Sequence, residues 1–260
     1  MSVFVRGTAV PPPTSQPTRE YWFPLPADIV LFSYEQKSFL SRLVMKTTRS
    51  YWSHTGMICS GLPGGIQIRG RPHYVAQPND DDAGGWQTIT GERLFLFESV
   101  ANDEKTMWDY LTGQMRGGIR LIDARRRMWK RCREDGGRAL YRRVTGPGAQ
   151  SLLQDALMVV QKKYAGCGYN YNPLLLLDAI GPGAGDVRRS DEQEEVLEAR
   201  KKAFCSQLVA EVLMEAGLLP KGERAPRTFL PVDFLEGGAV EKALPPGFAL
   251  SPAVEITFPY

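Results

Sequence analysis

The chain is short of histidine and cysteine, carries no long apolar run and has no strong excess of either charge. Its 260 residues include two histidines, His54 and His73, and four cysteines, at positions 59, 132, 167 and 205. The cysteines form no CxxC and no zinc-like pairing, so a cysteine-built zinc module is excluded. Two disulfides are arithmetically possible, but no spacing suggests a framework. No stretch approaches the roughly 18 apolar residues that a membrane-spanning helix needs. The longest, Pro173–Ile180 with Leu174–Leu177 inside it, is interrupted by Asp178 and closed by Gly181-Pro182-Gly183. The first ten residues show no secretory pattern, because they carry Arg6 and run into Pro11-Pro12-Pro13. Lys and Arg number 32 against 29 Asp and Glu, and the resulting net charge of +3 is too small to imply a nucleic-acid partner. No internal repeat is visible. A soluble, cytoplasmic protein is the expectation, with export by a signal-less route as the alternative.

What remains is ordinary globular material, 43% hydrophobic and 23% charged, long enough to bury a substantial core in one domain. Residues 1–20, rich in Pro, Ser and Thr, read as an extended arm. Strands are predicted over 28–32, 54–59, 93–100, 118–123 and 139–144. Helices are predicted over 35–47, 124–133, 150–164 and 204–216, the last with Leu208, Val209, Val212 and Leu213 at helical spacing and Gly217 as its stop. The stretch 61–91 reads as loop-rich. The mixture predicts an α+β fold, helices packed against an antiparallel sheet.

Three residues carry chemistry in this layout. Phe204-Cys205-Ser206-Gln207 puts a cysteine on the first turn of the best helix, where free N–H groups and the helix dipole favour a thiolate. His54 opens a predicted strand and has the chemistry to take the thiol proton. Glu98, closing another, is suited to hold the second ring nitrogen. Spacing alone leaves the plain alternatives open: a cysteine on an amphipathic helix is commonly a small buried hydrophobe, a strand histidine commonly structural, and Glu98 an exposed strand-end charge. Cys59, in an apolar strand, and Cys167, between two glycines, are weaker nucleophile candidates. The basic run Arg125–Arg133, with Met128 and Trp129 inside it, has two readings: a contact with an anionic membrane surface, or a solvated helix whose two apolar residues pack on the body.

Several segments together resemble the permuted branch of the NlpC-type papain-like superfamily, and within it the YiiX-type amidases. They are Ala27-Asp28-Ile29-Val30, Ser53-His54-Thr55-Gly56-Met57, Phe97-Glu98-Ser99 and Phe204-Cys205-Ser206-Gln207-Leu208-Val209-Ala210. Gly117-Gly118-Ile119, Leu140-Tyr141-Arg142-Arg143, the stretch Gly166–Pro173 and Pro231-Val232-Asp233-Phe234 add to the similarity, which spans about residues 20–240. The order His, Glu, Cys is the one that the permutation demands. Ala27 stands where the pattern has Gly, Gln207 where it has Glu, and Cys167-Gly168 where it has Lys-Pro.

The resemblance implies a circularly permuted papain-like fold, with one catalytic domain over 21–260 and helical excursions near 101–135 and 183–202. It implies Cys205 as nucleophile, His54 as base and Glu98 as its orienter, with no metal and no organic cofactor. Tyr169 matches a tyrosine near the superfamily's oxyanion site, the alternative being a core tyrosine; Ser53 is read as helping to place His54, against a plain surface serine. The expected activity is cleavage of an amide bond in a peptide or N-acyl substrate through a thioester. A lipid acyl hydrolase or acyltransferase using the same triad is the second reading, and a non-catalytic binding module that retains the fold is the third. The oligomeric state is not legible.

Overall fold

The computed structural model describes residues 4–7, 24–33, 39–60, 66–69, 86–89, 94–100, 107–165, 167–169 and 202–257. Seven strands build its main sheet: β1 (Phe4–Gly7), β2 (Ile29–Ser33), β3 (Trp52–Ser60), β4 (Leu94–Val100), β5 (Gly118–Asp123), β6 (Ala139–Arg142) and β7 (Val254–Thr257). Their order is β1-β7-β6-β2-β3-β4-β5, and every neighbouring pair is antiparallel. The helices are α1 (Phe39–Thr48), α2 (Ala124–Trp129), α3 (Ala149–Tyr164), α4 (Cys205–Glu215) and α5 (Ala239–Ala243). The chain is therefore mixed α+β, helices on an antiparallel sheet.

The strand period of two explains the layering. Ile29, Leu31, Met57, Cys59, Phe95, Phe97, Ile119 and Leu121 point to one face, where they meet Leu153, Leu157 and Val160 of α3 and Leu208, Val212 and Leu213 of α4. The alternate residues Val30, Phe32, Ile58, Leu96 and Ile122 point to the other face and meet Ala124 and Met128 of α2. The central strands are apolar in continuous runs because both faces are covered.

Several predicted bounds move. β3 begins two residues before His54, so that histidine sits inside the strand. β4 begins one residue later than predicted, at Leu94, and ends at Val100 as predicted, so Glu98 lies inside the strand and does not close it. The single strand predicted over 139–144 is broken at Arg143, whose guanidinium turns to Asp28, with Nε and Nη2 each 2.8 Å from a carboxylate oxygen. Beyond the break, Val144–Thr145 pairs instead with Ala249–Leu250. In the stretch read as loop, Ile66–Arg69 and Trp86–Ile89 pair antiparallel. Phe4–Gly7, inside the stretch read as an arm, forms the sheet's edge strand. Leu174–Leu177 and residues 183–201 of the second predicted excursion lie outside the described residues.

The basic run turns inward only in part. Asp123 caps α2 by accepting from the Arg126 N–H at 2.7 Å, and the helix continues as a π turn over Lys130–Glu134. Arg127, Met128 and Arg131 are buried. Arg126 pairs with Glu134, and Lys130 and Arg131 pair with Asp135.

Gly56 lies opposite Glu98 in the β3–β4 ladder. A Cβ there would stand 2.8 Å from the Phe97 carbonyl oxygen, 2.9 Å from Leu96 Cδ1 and 3.3 Å from Glu98 Cβ. Gly56→Ala therefore forces the two strands apart at the position that carries Glu98. A destabilisation of about 1–3 kcal/mol is expected, read as a lower urea midpoint; an unchanged midpoint would contradict this packing.

Candidate active site

Cys205 opens α4, with Phe204 extended before it. Gln207 Oε1 accepts from the Phe204 N–H at 3.4 Å, closing the helix start, and its Nε2 donates to Glu211 at 3.1 Å. Ser206 Oγ donates to the Phe229 carbonyl at 2.6 Å, fixing the first turn against the segment that follows the helix. The side chain after the cysteine thus anchors the turn, while the N–H groups of Ser206 and Thr55 are directed at the Cys205 sulfur.

His54 and Glu98 come from adjacent strands. Opposite-residue pairing sets Gly56 against Glu98, and the two-residue offset brings His54 diagonally to the same carboxylate. His54 Nε2 lies 2.7 Å from Glu98 Oε2. That contact occupies Nε2, so Nδ1 is the nitrogen left for the hydrogen bond between His54 and Cys205. The three predicted residues are brought together. All are buried, Glu98 completely and Cys205 with 6% of its surface exposed.

Two further residues complete the site, and the sequence analysis did not find them. Arg120 of β5, directly opposite Glu98, donates from Nε at 3.0 Å and Nη2 at 2.7 Å to Glu98 Oε1. Arg127 of α2 donates from Nε at 3.1 Å to Glu98 Oε2, the oxygen that His54 uses. Both arginines are essentially without exposure. The available signal was a charged residue inside the apolar strand Gly118–Asp123, and an arginine on the inward stripe formed by Ala124, Arg127 and Met128 of α2 and Arg131 of the π turn. Long cations at core positions need an internal acid.

These contacts decide the ionisation states. Burial pushes the Glu98 carboxyl up, but Arg127, Arg120 and His54 together hold it well below the usual carboxylate range. Burial opposes a charged imidazole at His54, yet the Cys205 sulfur and then Glu98 outweigh it and raise His54. Burial likewise pushes the Cys205 thiol up; His54 and the N–H groups of Thr55 and Ser206 reverse this and lower it. Two other thiols move the opposite way, that of buried Cys59 to about 12 and that of half-buried Cys132 to about 11, both chiefly through loss of solvent. All four cysteines are free.

The secondary candidates lie beside this centre. Tyr169 sits on the two-residue strand Gly168–Tyr169, parallel to Lys202–Ala203, which leads into α4. Its ring meets that of Phe204 edge-on at 6.0 Å. Ser53 is buried, not a surface serine, and among the described residues its Oγ has no hydrogen-bond partner. Also among the described residues, no three His, Cys, Asp or Glu side chains are grouped to hold a metal ion, and no helix is long and apolar enough to cross a membrane.

Glu98→Gln leaves two buried guanidiniums facing a neutral amide, and a loss of about 3–5 kcal/mol is expected. Because the folded-state pKa of Glu98 is depressed, its contribution is complete above the unfolded value of about 4.3. It is lost as pH falls from there through the folded value. Urea midpoints followed from neutral to acid pH should therefore fall for the parent and be flatter for Glu98→Gln. Equal acid slopes would show that Glu98 is not the buried anion.

No protein-family profile matches the chain, and no curated protein matches it. Among solved structures it is similar to that of the metalloprotein YiiX from Escherichia coli O157:H7, over 75% of this chain and 67% of that one, at 17% identity and a TM-score of 0.40. The similarity is distant.

Proposed function

We propose that this chain is a cysteine-dependent hydrolase of the permuted papain-like kind that cleaves an amide bond in a peptide or N-acyl substrate. The observation that carries the reading is the ordered relay Cys205–His54–Glu98, with a lowered thiol on a helix N-terminus. A non-catalytic module needs none of these three groups ionised, whereas nucleophilic catalysis needs all of them.

In the proposed reaction the Cys205 thiolate attacks the substrate carbonyl carbon, and the carbonyl π electrons move to oxygen. N–H groups at the start of α4 stabilise that oxyanion, with the Tyr169 hydroxyl as a further donor. His54, protonated on Nδ1, gives its proton to the leaving amine as the C–N bond breaks and a thioester remains. Neutral His54 then takes a proton from water; the hydroxide adds to the thioester, the C–S bond breaks, and the thiolate–imidazolium pair is restored. Through all steps Glu98 accepts from Nε2–H, holding the ring with Nδ1 toward the sulfur.

The direct test is the rate of iodoacetamide labelling against pH, with sites read by peptide mapping. Cys205 should label rapidly well below the reference thiol pKa of about 8.5, and His54→Ala should remove that advantage while Cys59 stays slow. A Cys205 that labels no faster than Cys59 would overturn the hydrolase reading. Substrate class is decided by mass spectrometry of products from acyl-amino-acid amides and from mixed phospholipids. Amide products are expected; lysolipid and fatty acid alone would replace the amidase with a lipid acyl hydrolase.

A further inference from the structure

Farther along α4 than the nucleophile, Glu211 joins two segments that reach the site from different parts of the chain. Its side chain is only 11% exposed. Oε1 accepts from the Tyr164 hydroxyl in a short contact and from Gln207 Nε2 at 3.1 Å, and Oε2 accepts from Lys163 Nζ at 2.7 Å. The Gln207 branch leads to the nucleophile. With Nε2 tied to Glu211, the amide turns Oε1 to the N–H of Phe204, the residue before Cys205. The Tyr164 branch leads to the second proposed oxyanion donor. Tyr164 closes α3, its carbonyl accepts from the Cys167 N–H at 3.0 Å, and the chain then forms the strand Gly168–Tyr169. That strand runs beside Lys202–Ala203, and the Tyr169 ring meets Phe204. A carboxylate at 207, one helical turn before Glu211, would face it as a like charge, whereas an amide donates to it. This is a physical reason for Gln207 at a position where the resembled pattern carries Glu.

We propose that Glu211 is a positioning residue. Acting through Gln207 and Tyr164, it fixes the register between the turn that carries Cys205 and the strand that carries Tyr169, so that the α4 N–H groups and the tyrosine hydroxyl meet one oxyanion. The inference rests on the hydrolase reading of the same site. None of the Glu211 hydrogen bonds reaches the thiol or the imidazole. His54 and Glu98 are held by the β3–β4 ladder, so losing Glu211 leaves the thiolate–imidazole pair in place and displaces the oxyanion donors. Lys163, with 53% of its side chain exposed, is a screened partner that the register does not need.

Two probes of Cys205 separate these parts. Iodoacetamide alkylates the thiolate without forming an oxyanion. With p-nitrophenyl acetate the thiolate adds to the ester carbonyl, an oxyanion forms, p-nitrophenolate leaves and an acetyl thioester remains. Both rates are measured at one pH, with Cys205→Ala as the blank and a thermal midpoint for each variant. Glu211→Ala should lower acylation relative to alkylation by about tenfold or more. Gln207→Glu should lower the same ratio by setting two carboxylates against each other. Combining Gln207→Glu with Glu211→Gln exchanges acceptor and donor and should restore most of the ratio. A purely structural acid would lower both rates together, so a folded Glu211→Ala with the parent's ratio overturns the proposal. So does a double variant no better than Gln207→Glu alone, and that comparison decides if Glu211→Ala does not fold. If Cys205 in the parent alkylates no faster than Cys59, the hydrolase reading and this proposal fall together. If it alkylates fast and the ratios do not move, this proposal falls alone.

Discussion

Burying an ionised carboxylate at the centre of a sheet is the constraint on which the rest of this structure depends. Glu98 has no exposed surface, so water satisfies none of its lone pairs and protein donors must do so. Those donors come from β3, β5 and α2: His54 on one side, Arg120 directly opposite and Arg127 across the face. The register of three adjacent strands and the seating of one helix are thereby locked to a single anion. Gly56 permits this because the space where its Cβ would stand is filled by Phe97, Leu96 and Glu98. A one-residue slip of β3 would turn His54 to the opposite face and leave Glu98 and both guanidiniums incompletely paired.

The nucleophile arrives from the other layer. α4 packs through Leu208, Val212 and Leu213 on the sheet face opposite to α2, while its first residue reaches the imidazole held by the Glu98 cluster. The cysteine's environment is set by backbone N–H groups, which need no titration of their own, and by one imidazole whose orientation the cluster imposes. The same helix would leave Cys205 raised by burial if His54 were absent, as Cys59 and Cys132 are. Position on a helix N-terminus accounts for part of the reactivity expected of Cys205; the imidazole of His54, oriented by Glu98, accounts for the rest.

How much of this was legible in the sequence follows from how local each signal is. The apolar repeat of α4 and its glycine stop are local, and the helix lies at Cys205–Glu215 as the spacing predicts. β5 matches its predicted bounds for the same reason. Cys205, His54 and Glu98 were marked by residue type at strand and helix positions, but their convergence is a matter of strand register, which no local pattern encodes. Arg120 and Arg127 were missed because a charge on a strand or a basic helix reads as solvated unless its partner is known. Arg143 broke a predicted strand for a related reason: its acid, Asp28, lies 115 residues away. Ala27 adopts φ 71°, a left-handed conformation that L side chains resist and glycine accepts freely, which gives a physical reason for the glycine in the pattern it departs from.

Asp28 and Glu98 show why ion pairing by itself does not mark a reactive centre. Both carboxylates are fully buried and both meet arginine in short contacts. Asp28 has one guanidinium, a quarter exposed, and the Leu25 N–H; burial outweighs them and its pKa is raised. Glu98 has two guanidiniums with almost no exposure, and they outweigh a comparable burial so that its pKa is lowered. The difference lies in the count and solvation of the cations, because a guanidinium that still meets water has its field screened. Asp28 accordingly ties the turn before β2 to the break after β6 and touches nothing that titrates near neutrality. Glu98, held ionised, lies one hydrogen bond from His54, the only histidine among the described residues.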